Sequence, residues 1–266
     1  MAATPGFSSS GSSSIAGLQV EDWPEAPPSG TIHVWMAEGV THAQLDDCLG
    51  LLSPGEQERA GNYRFDPDRR RFTGSRLLVR HVFAHYLHCE PRELSFESNQ
   101  WGKPVLGARF ASPLFFSLSR SDDLALLAVS SAGELGVDVE KRDEARAAEL
   151  IAKRQFSMPE QEFVARAADR TSAFFEIWTR KEAYVKGLGV GLSHPLGKFS
   201  VAPEDGAATT KVIDWTAHDP DADWHVRSLT LPRPGYAAAL ATPCPAGPVQ
   251  MVPLKITELL SRRSGE

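Results

Sequence analysis

The chain has 266 residues, 42% hydrophobic and 23% charged, with 28 basic against 34 acidic side chains and a formal net charge of −6. That composition suits a soluble globular chain of one large domain or two small ones with a sizeable core, and the acidic balance argues against a nucleic-acid binder, whose affinity rests on a basic surface. Cys48, Cys89 and Cys244 stand far apart and outside any CxxC spacing, so neither a disulfide framework nor a thiolate zinc site is expected; without a membrane-length apolar run or a secretion leader, the prediction is a cytoplasmic protein with no membrane role.

Residues 1–29 are rich in Ser, Gly, Ala and Pro and read as a disordered tail, too poor in large apolar groups to offset the entropy of ordering. Residues 31–37 carry β-branched and aromatic side chains and predict a strand, followed by a weak helix over 41–52. Ser53-Pro54-Gly55-Glu56 is a helix start, with a capping Ser, Pro in the first position and Glu three residues on. A longer helix runs from Asp66-Pro67 to about residue 88, with Phe72, Val79, Phe83 and Tyr86 on one stripe. His81, His85 and His88 fall on the opposite, solvent side, and no nearby carboxylate or cysteine completes a zinc set. Seven arginines between Arg59 and Arg80 read mainly as a solvated helix face, with one or two available to bind phosphate through the guanidinium fork.

Strands at 114–119 and 124–130, then a turn into 136–140, predict a three-stranded antiparallel meander. Side chains alternate along a strand, so within Gly136-Val137-Asp138-Val139-Glu140 the two acids share one face and the two valines the other. Paired carboxylates suit a hard cation such as Mg²⁺; the bland reading is an exposed edge with two solvated acids. Helical segments follow at 143–154, 159–169 and 172–186. The last has a broad apolar stripe with Lys181 inside it, and there an ammonium must snorkel or find an anion. Glu182 and Lys186, four apart, share a face as a surface pair or as working groups. Glycines 187, 189 and 191 follow a helix rather than precede one, so they read as its C-terminal cap and not as a dinucleotide loop. Strands at 198–202, 212–216, 224–231 and 236–241 complete an α+β fold of two similar subdomains, 30–135 and 136–242, each an antiparallel sheet with a long helix; 243–266 is a C-terminal extension of strand or short helix with a basic tail.

Two stretches taken together carry a resemblance. Gly136-Val137-Asp138-Val139-Glu140-Lys141 and, some forty residues on, Trp178-Thr179-Arg180-Lys181-Glu182-Ala183-Tyr184-Val185-Lys186 resemble the signature pair of the Sfp-type 4′-phosphopantetheinyl transferases. Ser53-Pro54 through Glu58-Arg59 is similar to the family's N-terminal helix, and Trp101-Gly102-Lys103-Pro104 to its GKP turn. Ser117-Leu118-Ser119-Arg120-Ser121 resembles its Asn-Ile-Ser-His-Ser stretch, with Arg120 where the family has a phosphate-contacting His.

The resemblance implies a monomeric pseudo-dimer that moves phosphopantetheine from coenzyme A to a serine of an apo acyl or peptidyl carrier protein. It implies Mg²⁺ at Asp138, Glu140 and Glu182, with Glu182 as base and Lys186 at the leaving phosphate. Arg59, Trp101, Gly102, Lys103, Ser117, Ser119 and Arg120 would hold coenzyme A, with Arg71 a further candidate. Two rivals stand beside it. One is a carrier-binding homologue with impaired catalysis, motivated by Arg120. The other is a metal-dependent phosphodiesterase or nuclease, although there a Lys usually lies two residues beyond an acid and here Lys141 directly follows Glu140.

Overall fold

The apolar residues of Ile32–Glu38 form β1 in the computed structural model, which describes residues 23–143, 149–191, 194–204, 207, 209–216, 223–243 and 247–261. A 3-10 helix, Ala43–Leu51, leads to the capping box of Ser53 and Glu56 that starts α1, Pro54–Gly61. The long helix α2, Asp66–Leu87, follows. The hairpin of β2 (Phe96–Ser98) and β3 (Pro104–Leu106) precedes β4 (Phe115–Ser121), β5 (Leu124–Ser130) and β6 (Gly136–Lys141). Then come α3 (Glu149–Gln155), α4 (Met158–Arg166) and α5 (Arg170–Leu188). The short strands β7 (Phe199–Ser200), β8 (Thr210–Lys211) and β9 (Ile213–Asp214) lead to β10 (Trp224–Ser228), β11 (Tyr236–Pro243), β12 (Val249–Lys255) and α6 (Ile256–Ser261).

Two four-stranded sheets result, in the orders β12-β1-β5-β4 and β6-β11-β10-β8. In both, the first strand of the half pairs antiparallel with its last, and the last with the hairpin partner before it. The outer face of the first sheet packs on α2 through Trp35, Leu127 and Phe83, and that of the second packs on α5 through Ala239, Phe174 and Val226. Their inner faces meet in a shared core of Val34, Leu126, Val137, Val139 and Leu240. Burial on both faces explains why β1 and β5 are mostly apolar rather than strictly alternating.

The expected meander is corrected: β6 pairs with β11 in the second sheet and not with β5. Val137 and Val139 bury between the stacked sheets only if the chain crosses over after β5. The C-terminal extension is also more than an appendage, because β12 runs parallel to β1 and forms an edge of the first sheet. Trp23, inside the stretch read as tail, is buried against Trp35 and His85, so His85 is covered rather than solvated. Residues 1–22 of that tail, residues 144–148 of the helix expected over 143–154, Cys244 and the basic end beyond 261 lie outside the described residues.

Arg76 and Arg80 depart from the solvated-face reading, since both are buried and share the Glu56 carboxylate. Arg69 and Arg70 pair with Asp46, and Arg71 with Asp68. Lys181 is fully buried on fully buried Glu160 at 2.8 Å, and it also donates to the carbonyls of Leu196 and Phe199. Between snorkelling and finding an anion, Lys181 does the second, and the anion is a protein carboxylate.

Candidate active site

Gly136 opens β6 because a Cβ there would collide with the Ala183 carbonyl and the Gly187 amide of α5. That close approach lays the acid-bearing face of β6 against α5. The third wall is β4, whose Ser117, Ser119 and Ser121 accept from the backbone amides of Val137, Val139 and Lys141 at 3.0, 3.3 and 3.0 Å. Three hydroxyls thus do between β4 and β6 what a strand ladder would otherwise do. Two of them also donate onward, Ser119 to Asp138 Oδ1 and Ser121 to Glu140 Oε2, each at 2.7 Å. Lys186 Nζ completes the cluster, 2.6 Å from Asp138 Oδ1 and 2.8 Å from Ser119 Oγ.

Glu182, one helical turn before Lys186, faces the same acids. Burial first, then the negative charge of Asp138 and Glu140, raise its pKa to about 7 against the relief given by Lys186. Asp138 Oδ2 is buried without a hydrogen-bond partner. As placed, no three carboxylate, histidine or cysteine side chains among the described residues form a finished metal cage. An orphaned carboxylate oxygen and mutually repelling acids are nevertheless the donor set that a hard divalent cation fits.

Glu182 and Lys186 form one side of a cavity of about 530 Å³; the other side is arginine-rich. Arg59 and Arg120 each stack on Phe72, 5.5 and 5.6 Å from the ring centroid. Arg120 also donates to the Tyr63 hydroxyl at 3.3 Å. Burial, and then the repulsion of Arg59 and Arg71, lower the Arg120 pKa, so its charge is under-compensated. Arg76 lies over Phe96 with its Nε on Glu56, and its pKa too is lowered by burial and by Arg80 and Arg120. This wall is short of anions.

The structure therefore gathers Arg59, Trp101, Gly102, Lys103, Ser117, Arg120, Glu182 and Lys186 around one cavity, with Ser119, Asp138 and Glu140 hydrogen-bonded at its edge. Arg71 is held by Asp68 and the Asp122 carbonyl and does not line it. Sequence reasoning missed Glu56, Arg76 and Ser121. The period-two match of Ser117, Ser119 and Ser121 to Asp138 and Glu140 was the signal for the last. For Arg76 and Arg80 the signal was their place on the Phe72/Val79/Phe83 stripe.

Comparison with known proteins bears on the same residues. Residues 37–132 match the family model for the N-terminal region of 4′-phosphopantetheinyl transferases, and residues 134–241 match the model of the 4′-phosphopantetheinyl transferase superfamily. The chain is 38% identical to the 4′-phosphopantetheinyl transferase HetI of Nostoc sp. over 64% of its own length and 76% of that protein's. It is 34% identical to psf-1 of Bacillus pumilus, over 82% and 91% of the two chains, and 26% identical to Sfp of Bacillus subtilis, over 85% and 98%. With two family models meeting at the turn before β6, and relatives matched over most of their length, the chain belongs to the 4′-phosphopantetheinyl transferase superfamily.

Proposed function

We propose that coenzyme A lies across this cavity, its phosphates against the arginine wall and its diphosphate against the acids. As a member of the superfamily the chain transfers the 4′-phosphopantetheine group from coenzyme A to a serine of an apo carrier protein, releasing adenosine 3′,5′-bisphosphate. The residue assignment rests on one observation: Glu182 and Lys186 face Asp138 and Glu140 at the edge of a cavity whose far wall is cationic.

Glu182 accepts the proton of the incoming serine hydroxyl, directly or through water, as a carboxylate positioned beside the reacting groups. Lys186 is already within reach of the acid cluster and steadies the departing phosphate oxygen. Arg59 and Arg120 bind phosphate oxygens. The turn at Trp101, Gly102 and Lys103 lines the cavity with a ring that is 51% exposed and a glycine at φ 86. Ser117 and Ser119 hold β6 in place beside the substrate. Asp138, Glu140 and Glu182 would hold Mg²⁺, which when bound supplies neutralising charge to the cleaved diphosphate.

The matching order of three strands, β1-β5-β4 in one sheet and β6-β11-β10 in the other, supports a pseudo-dimeric chain divided before Gly136, and because each half contributes one wall, a single chain suffices as a monomer. Cys48 and Cys89 are not joined to each other in a disulfide, which accords with the cytoplasmic assignment. No helix among the described residues is long and apolar enough to cross a membrane. Neither membrane nor nucleic acid has a part in this reading. The nuclease rival has no supporting observation, and the placement of Glu182 and Lys186 favours a catalyst over an impaired binder.

The test is mass spectrometry of an apo carrier protein incubated with coenzyme A, Mg²⁺ and this protein. Addition of one phosphopantetheine group is expected, lost in Glu182→Gln and Lys186→Ala. An unmodified carrier with every carrier class tried overturns the reading.

A further inference from the structure

The transferase resemblance places Lys103 among the coenzyme A ligands, but its geometry points elsewhere. An ammonium has three N–H donors. All three have acceptors: Glu134 Oε2 at 2.5 Å, the Gly187 carbonyl at 3.1 Å and the Leu135 carbonyl at 3.3 Å. The side chain is 12% exposed. Gly187 belongs to the last turn of α5, where carbonyls lack helical partners and the helix dipole favours a cation. Leu135 is the residue that leads into β6.

The rest of the turn does the same work. Asn99 Nδ2 donates to the Gly189 carbonyl just past α5, while its Oδ1 accepts from the amides of Trp101 and Lys103. Gly189 is at φ 67, and a Cβ there would stand 3.0 Å from the Lys103 side chain and 3.1 Å from Asn99 Nδ2. Its bare backbone is what admits the turn. One loop of the first half is thereby fastened to both acid-bearing elements of the second: to β6, which carries Asp138 and Glu140, and to α5, which carries Glu182 and Lys186.

We propose that Lys103, with Glu134 and Asn99, is a positioning latch that fixes the end of α5 against the start of β6, so that Glu182 and Lys186 meet Asp138 at the reacting distance. Its ammonium does not bind coenzyme A phosphate. The proposal rests on the transferase reading, so the experiment first establishes that the wild-type chain modifies an apo carrier domain. Failure at that point removes the reading itself, whereas the latch is judged on variants of the active protein.

Lys103→Met and Glu134→Lys are compared with wild type in the full chain. Turnover on the carrier domain is measured together with the Kd for coenzyme A by titration calorimetry and amide hydrogen exchange in residues 185–189. Glu134 is about half exposed, so its variant is expected to fold. Small misplacements of reacting groups cost rate rather than ground-state affinity, so both variants should lose about tenfold or more in kcat. The Kd should stay within about twofold of wild type, because a group that touches no substrate leaves binding unchanged. Exchange at the end of α5 should quicken in both.

A phosphate-binding Lys103 behaves oppositely. Lys103→Met would weaken coenzyme A binding with kcat kept, and Glu134→Lys, which adds a cation beside it, would tighten binding. That pattern, or wild-type kcat in Glu134→Lys, overturns the latch.

Discussion

The two halves use one device in two ways. Leu52-Ser53-Pro54-Gly55-Glu56-Gln57 and Phe156-Ser157-Met158-Pro159-Glu160-Gln161 each start a helix in front of the long one. In both, the Glu accepts from the Ser amide, at 2.9 and 2.7 Å, and the Gln side chain donates back to the residue before the Ser, at 2.8 and 2.9 Å. In both, the glutamate then receives cations from the long helix: Arg76 and Arg80 of α2, Lys181 of α5. The difference is exposure. Glu160 and Lys181 are sealed, with the remaining donors on carbonyls, and serve the core alone. Glu56 and Arg76 line the cavity, where one carboxylate faces two guanidiniums and leaves a surplus of positive charge. The same construction that holds the acid-bearing helix in one half makes an anion-attracting wall in the other.

Four measurements would break or sharpen that contrast. The largest effect belongs to Glu182→Gln, which takes the proposed base from the second half without touching its core: transfer to a carrier should fall by about 10² to 10⁴-fold, with the circular-dichroism melt no lower than wild type. Retained turnover would leave the acid wall without its chemistry. Next, Glu160→Ala strands Lys181 with no anion and should cost about 3 to 5 kcal/mol in denaturant unfolding. Glu56→Ala should cost less, because Glu56 and Arg76 border the cavity whereas Glu160 and Lys181 have no exposed surface; equal costs would mean that exposure does not distinguish the two boxes.

Third comes a pH slope. The Glu182 pKa is raised from 4.5 to about 7, so the folded state holds that proton more tightly than the unfolded chain does. Its cost to stability is absent below about pH 4.5, grows as pH rises through that window and is complete above pH 7. In urea titrations without divalent ions, wild type should therefore lose on the order of 2 kcal/mol relative to Glu182→Gln between pH 4.5 and 7. Parallel curves would contradict the crowding of acids at that site. The smallest effect is on the arginine wall: Arg120→Ala should weaken coenzyme A binding about tenfold, and Arg120→His should recover most of it. Equal affinity in all three forms would remove Arg120 from the site.

Much of this was legible in the sequence for local reasons. Alternation put Asp138 and Glu140 opposite Val137 and Val139, and helical spacing put Glu182 and Lys186 on one face, as the structure has them. What escaped depends on partners distant in the chain. The crossover of β6 to the second sheet cannot be told from a hairpin when the turn is short and the strand apolar. The arginines at 76 and 80 looked solvated because charge was weighed above their position on an apolar stripe, while the Glu56 that neutralises them lies 20 and 24 residues away. Trp23 was a single large ring in a polar stretch and gave no periodicity to read.

The parallel pairing of β12 with β1 has a bearing on biosynthesis. During translation β1 emerges well ahead of its outer neighbour β12, which follows on the order of two hundred residues later. The helix and sheet of the candidate acids can therefore assemble while the earlier half still waits with one edge unfilled. Of the two halves, the one made earlier is the one finished later.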